Sequence, residues 1–312
     1  MQLSRLPFLF LGIISLAFGV LSGLARSGVS LPDTWISHSG FHSAFMISGF
    51  FGTVISLERA VAIKKPWAYI APVCSALASI SLLTGLPNTF AISLFIIAGI
   101  FFVAASLWVI VLQPAVYTLI LLAGSALWLL GNINWLIFDN LWGCIPYGLS
   151  FLVLTIAGER LELTRFLPPK KSSTAIFLLI VLAILAGTFV SGKNSFSDNN
   201  LLGAGFSLLA AWLITFDIAR RTIFKAGITR FVAVCLLSGY LWLFVGGILL
   251  NNYLEIGPYQ RDAAVHAVAL GFIFAMVIGH APIIFPAIIQ LRIPFTRKFY
   301  IPLALISLGL LI

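Results

Sequence analysis

TFAISLFIIAGIFFVAASLWVIVL, residues 89–112, holds no charged residue across twenty-four positions. A run of 18 or more apolar residues without charge reads as a transmembrane helix. Similar runs recur along the chain, and they are continuous rather than alternating, which excludes a membrane β-barrel. The whole sequence agrees with this reading. Of its 312 residues 61% are hydrophobic and 9% are charged, with a mean hydropathy of +1.12. No soluble domain of that length hides so much apolar surface. The expected fold is all-α: one integral membrane domain over 1–312, a polytopic transmembrane bundle of about eleven helices, arranged in groups of four.

The predicted helices are 6–25, 35–57, 67–86, 89–112, 115–137, 142–163, 173–191, 200–219, 229–250, 263–290 and a stub from 299. Pro, Asn and Gly punctuate the links between them, at Pro87-Asn88, Gln113-Pro114, Pro168-Pro169 and Asn199-Asn200. The chain stops at Ile312, fourteen residues into its last apolar run. A truncated end, with a twelfth helix beyond it, is the expectation. Grouping by fours comes from a faint repeat, Leu57-Glu58-Arg59 against Gly158-Glu159-Arg160. The same pattern is also an ordinary interfacial ion pair at a helix end.

The net charge of +9 does not indicate nucleic acid, because of where the charge lies. Fifteen of the eighteen Lys and Arg residues fall in loops on one side of the predicted helices; Arg26, Lys193 and Arg261 fall on the other. By the positive-inside rule the N-terminus and the basic loops are cytoplasmic. The expected setting is the bacterial cytoplasmic (inner) membrane, with the lipid bilayer as the first partner. The cysteines, Cys74, Cys144 and Cys235, have no CxxC spacing and suggest neither a disulfide framework nor a zinc site.

The functional signal is the histidine distribution. All four histidines fall in two apolar segments: His38 and His42 in the second, His266 and His280 in the tenth. Ionisable side chains within membrane spans are functional by default. His38, His42 and Met46 are spaced by four, which on a regular helix lines one face. His266 and His280 return to within about 40° of each other but about 21 Å apart along a regular helix, so one metal ion does not take both. Counting inward from Trp35 and from Asp262 sets His42 and His266 at similar depth. Two such imidazoles suit the axial positions of a haem, with Arg261 at the outer rim where propionates meet water. Imidazole with thioether also suits copper, which makes His38, Met46 and His280 further candidate metal ligands beside His42 and His266. Either internal methionine, Met46 or Met276, also serves as ordinary packing. Asn132 and Asn134 read as interhelical glue, and Pro282 and Pro286 as a bend whose freed carbonyl His280 caps.

His42-Ser-Ala-Phe-Met46-Ile resembles the second helix of subunit I of the haem–copper oxidases, and His266-Ala-Val-Ala-Leu-Gly271-Phe-Ile-Phe-Ala-Met276 resembles its tenth. The resemblance implies a low-spin haem b held by His42 and His266, and a membrane or periplasmic electron-transfer partner. The oxidase pattern departs elsewhere. The sixth and seventh segments carry no histidine, and Ala264 stands where that family has a second histidine on the tenth. Oxygen reduction is therefore not expected. In overall hydropathy and in its histidine-bearing helices the chain also resembles the NnrS-like membrane proteins, which implies a role in nitric-oxide or metal stress. The competing reading is a transporter or a structural subunit without haem. Against transport, the acidic residues Glu58, Glu159, Glu162, Asp217 and Asp262 sit at predicted helix ends, not in the bilayer midplane.

Overall fold

The computed structural model describes residues 6–164, 171–193, 198–251, 259–289 and 294–311; within these, the side chains of 6, 34, 164, 171 and 284–289 are left aside. Arg5, Arg165, Lys170, Arg292 and the Pro168-Pro169 link therefore lie outside the described residues. No strand occurs among those described. The helices are α1 (Leu6–Arg26), α2 (Gly52–Ile63), α3 (Ile70–Leu83), α4 (Asn88–Leu112), α5 (Val116–Phe138), α6 (Leu141–Thr164), α7 (Lys171–Lys193), α8 (Asn200–Phe216), α9 (Gly227–Leu249), α10 (Gln260–His266), α11 (Ala275–Ile289) and α12 (Tyr300–Gly309). Two π-helical segments run into them: π1 (Ala44–Phe51) leads into α2, and π2 (Ala267–Phe274) joins α10 to α11.

Nine spans among the described residues are long and apolar enough to cross a membrane. The protein is therefore an all-helical, multi-pass membrane protein. The remaining two predicted segments are shorter. α8 is an apolar helix of 17 residues, and α12 has 10.

Several boundaries differ from the sequence reading, two of them beside residues of interest. The segment predicted as one helix over 35–57 starts as a short turn at Asp33–Ile36 and a 3-10 turn at Ser39–Phe41. The long span begins only at Ala44. His38 therefore lies outside it, and the depth counted from Trp35 at a helical rise does not apply. Helix 200–219 ends at Phe216, where Asp217 turns extended (φ −70°, ψ 151°). α11 is helical across Pro282 and Pro286. A departure from regular α-helix lies upstream of both prolines, at π2.

The chain divides into two compact units, Gln2–Thr155 and Ile156–Ile312. In the first, the centre is aromatic. Trp128 stacks on Phe151 at 5.6 Å, and Phe102 meets both edge-on. Hydroxyls also come close to the π1 backbone in this unit. Gly49 allows this, since a Cβ there would collide with the hydroxyls of Ser15 and Ser79. In the second unit, α7, α8 and α9 approach closely through glycine. A Cβ on Gly187 would lie 2.5 Å from the Leu202 amide nitrogen, and one on Gly203 would overlap the Gly247 carbonyl. Small residues at such crossings are the usual means by which membrane helices gain van der Waals contact.

Candidate functional site

π1 is held open by side chains from three other helices. A π-turn shifts the hydrogen-bond register from i−4 to i−5, and such turns are frequent at functional sites. Ser75 Oγ on α3 donates to the Ser48 carbonyl at 2.6 Å, and Ser15 Oγ on α1 reaches the Phe45 carbonyl at 3.4 Å. The Ser48 hydroxyl in turn accepts from Trp128 Nε1 (3.0 Å) and donates to Asn132 Oδ1 (3.1 Å), both on α5. Asn132 thus acts as the expected interhelical glue. A cavity of about 30 Å³ opens beside this network, lined in part by Ser43, Ser48, Trp128 and Asn132.

His42 sits just before π1, at the end of the 3-10 turn. Its Nδ1 lies 2.7 Å from the Gly19 carbonyl oxygen on α1. A carbonyl only accepts, so Nδ1 carries a proton, and in the neutral ring Nε2 holds the lone pair. Gly23 makes room for the ring: a Cβ there would lie 2.8 Å from both Cε1 and Nδ1. Met46 packs one turn along the same helix, its sulfur 2.5 Å from where a Cβ on Gly19 would stand. His42 and Met46 therefore share a face toward α1. His38 does not continue that face: it precedes the 3-10 turn, with Nδ1 3.1 Å from the Ser37 hydroxyl.

In the second unit His266 ends α10, immediately before π2. Its Nδ1 lies 2.7 Å from the Asp262 main-chain carbonyl, which fixes the same tautomer. This partner belongs to the backbone of Asp262. Arg261 is exposed at the start of α10, the end opposite His266. π2 packs on α9, with Gly246 against Val268 and Gly271 against Trp242. His280 lies on α11 and donates from Nδ1 to the Met276 carbonyl at 2.7 Å. This is not the carbonyl that Pro282 frees, which by i−4 counting belongs to Ile278. The π-turn between His266 and His280 also voids the regular-helix angle between them. Met276 packs against Gly239.

One site went unread in the sequence. Arg160 and Asp217 were expected at helix ends beside the interface. They are instead buried and paired, Nε to Oδ2 at 2.9 Å, with 4% and 1% of their side chains exposed. Asp217 Oδ1 also accepts the Ala219 amide at 2.7 Å. Tyr240 on α9 is fully buried next to this pair, and His280 feels both charges. The missed signal was the Asp at a break after an apolar helix, where a capping carboxylate stabilises the next turn.

Among the described residues no three His, Cys, Asp or Glu side chains gather as a metal site. The fold is that of an all-helical, multi-pass membrane protein in which His42 and His266 stand beside π-helical segments. The chain matches, over residues 5–312, the family described as Domain of unknown function (DUF8744), and it belongs to that family. No curated protein and no solved structure matches it.

Proposed function

We propose that this protein binds a low-spin b-type haem with His42 and His266 as axial ligands, and serves electron transfer or sensing in nitric-oxide or metal stress. One observation carries the reading: each of these histidines has its Nδ1 fixed by a main-chain carbonyl and stands at the mouth of a π-turn. A ring nitrogen held this way orients the imidazole and raises the basicity of the other nitrogen, as is usual for histidines that ligate metal. Each imidazole, taken by itself, thus suits a ligand role. Bound there, a haem would supply one-electron redox chemistry.

The residues divide the work. Gly19 and Gly23 hold the His42 ring on α1, Asp262 holds the His266 ring on its own helix, and Arg261 offers a guanidinium to propionate carboxylates at the outer rim. The membrane is the bacterial cytoplasmic membrane, with the N-terminus on the cytoplasmic side, because the basic loops lie there. The electron-transfer partner is a membrane or periplasmic protein. Copper at His42 and Met46 is the second reading, favoured by their shared face toward α1.

The test is an absorption spectrum of the full chain purified in detergent after expression with ample haem supply. A sharp reduced-minus-oxidised α band, lost in His42→Ala and in His266→Ala and kept in His280→Ala, is the expected result. A colourless protein carrying stoichiometric copper supports the second reading. A preparation with neither cofactor overturns both.

A further inference from the structure

We infer that the turn between α8 and α9 and the segment entering α12 form one docking surface for anionic phospholipids. Arg220, Arg221, Lys225 and Arg230 are exposed within residues 220–230, and Arg297 and Lys298 are exposed just before α12. No acidic residue lies in 218–230 or in 294–300. Asp217, next in sequence, is buried and spent on Arg160 and the Ala219 amide. None of the six cations has a carboxylate partner among the described residues.

The fold brings the two basic stretches together. A one-turn helix, Ala219–Thr222, is capped by Asp217 and packs on α9. Phe231, the residue after Arg230, is buried against Phe295, Phe299 and Tyr300, with ring centroids 6.0, 5.9 and 5.0 Å away. Arg230 thus stands beside the segment that carries Arg297 and Lys298. Sorting of basic loops to one side of a membrane does not require them to meet at one aromatic seat.

The surroundings decide which anion fits. Phe224 is 86% exposed amid the cations, and the first turns of α12 expose Ile301 and Leu305. The surface is therefore a cationic edge joined to an apolar flank. A soluble acidic protein matches the edge alone and leaves these apolar side chains in water. A phospholipid of net negative charge matches both. Its phosphate oxygens accept from the guanidinium groups, and its acyl chains cover Phe224, Ile301 and Leu305. Basic clusters next to a span attract anionic lipid in this way. A zwitterionic headgroup gains less, because its own cation meets six others.

The experiment is native mass spectrometry of the full-length protein in detergent. The probes are dioleoyl phosphatidylglycerol, dioleoyl phosphatidylcholine and glycerol 3-phosphate, each at the same concentration. Phosphatidylglycerol is expected to be retained several-fold more than phosphatidylcholine, and glycerol 3-phosphate not at all. Arg220→Gln with Arg221→Gln lowers phosphatidylglycerol retention several-fold. Lys64→Gln with Lys65→Gln removes the same charge from the other unit, where Lys65 already lies over the Trp108 ring, and changes retention little. Equal retention of the two lipids by the wild-type protein overturns the inference without any variant. Equal losses from the two double variants also overturn it, because net charge alone would then explain the binding. Glycerol 3-phosphate that displaces the lipid overturns it in favour of a free anion. No readout involves haem, so failure here leaves the haem reading untouched.

Discussion

His42 Nδ1 donates to the Gly19 carbonyl oxygen at 2.7 Å, from one helix across to another. The bond explains why α1 carries glycine at both 19 and 23. A side chain at either position would stand where the imidazole or the Met46 sulfur now lies. The histidine is thus aimed by its neighbour.

The first prediction uses that aim. Gly23→Ala places a methyl 2.8 Å from the ring, so the imidazole must tilt. The histidine itself stays. If His42 ligates haem, the variant shows a shifted or weakened α band while protein yield holds. Gly12→Ala is the control on the same helix, since its nearest neighbour is a Val54 methyl at 3.3 Å. Its spectrum matches wild type. Identical spectra for Gly23→Ala and wild type count against His42 as the ligand.

A second prediction concerns the π1 register. The Ser48 carbonyl is answered by Ser75 at 2.6 Å, a short bond between two buried groups. Ser75→Ala leaves that carbonyl with less and strands Thr53, which donates to Ser75. The expected loss is about 1–3 kcal/mol, seen as a lower midpoint in detergent unfolding. Ser93→Ala, at an exposed serine that only back-bonds to Thr89, changes stability little.

The elements that hydropathy made legible are those where lipid and core ask for the same thing. α4 and α5 carry no charged residue, so their extent in sequence matches their extent in space. The histidine-bearing segments were harder. Hydropathy is blind to hydrogen-bond register, so nothing in residues 35–57 separated a 3-10 turn and a π-turn from regular helix. The π1 segment is fixed by Ser15, Ser75 and Trp128, whose side chains come from elsewhere in the chain. The Arg160–Asp217 pair was hidden for the same reason. Its members are 57 residues apart, and each alone looked like an interfacial charge.

That pair yields a third prediction. Breaking a buried ion pair leaves a desolvated charge, at a cost of about 3–5 kcal/mol, whereas replacing both partners with apolar groups is often neutral. Asp217→Ala strands Arg160 and also removes the cap on the Ala219 amide. It is expected to unfold or to express poorly. Arg160→Met with Asp217→Asn keeps the cap acceptor without a buried charge and is expected to be more stable than Asp217→Ala. Measured midpoints in the reverse order would mean that the charges are hydrated.

The last prediction addresses α8, an apolar helix of 17 residues. Its seat depends on backbone-to-backbone approach. Gly187 on α7 faces the Leu202 amide nitrogen, and Gly203 on α8 faces the Gly247 carbonyl on α9. Backbone yields less readily than a side chain, so a methyl at either position must push two helices apart. Over-packing of this kind costs about 1–3 kcal/mol. Gly187→Ala and Gly203→Ala are each expected to lower the thermal midpoint, and together to lose less than the sum, because the first separation already opens space around α8. Gly309→Ala, with nothing within 4 Å, is the neutral control. A double variant whose losses add in full would show that α7 and α9 grip α8 independently.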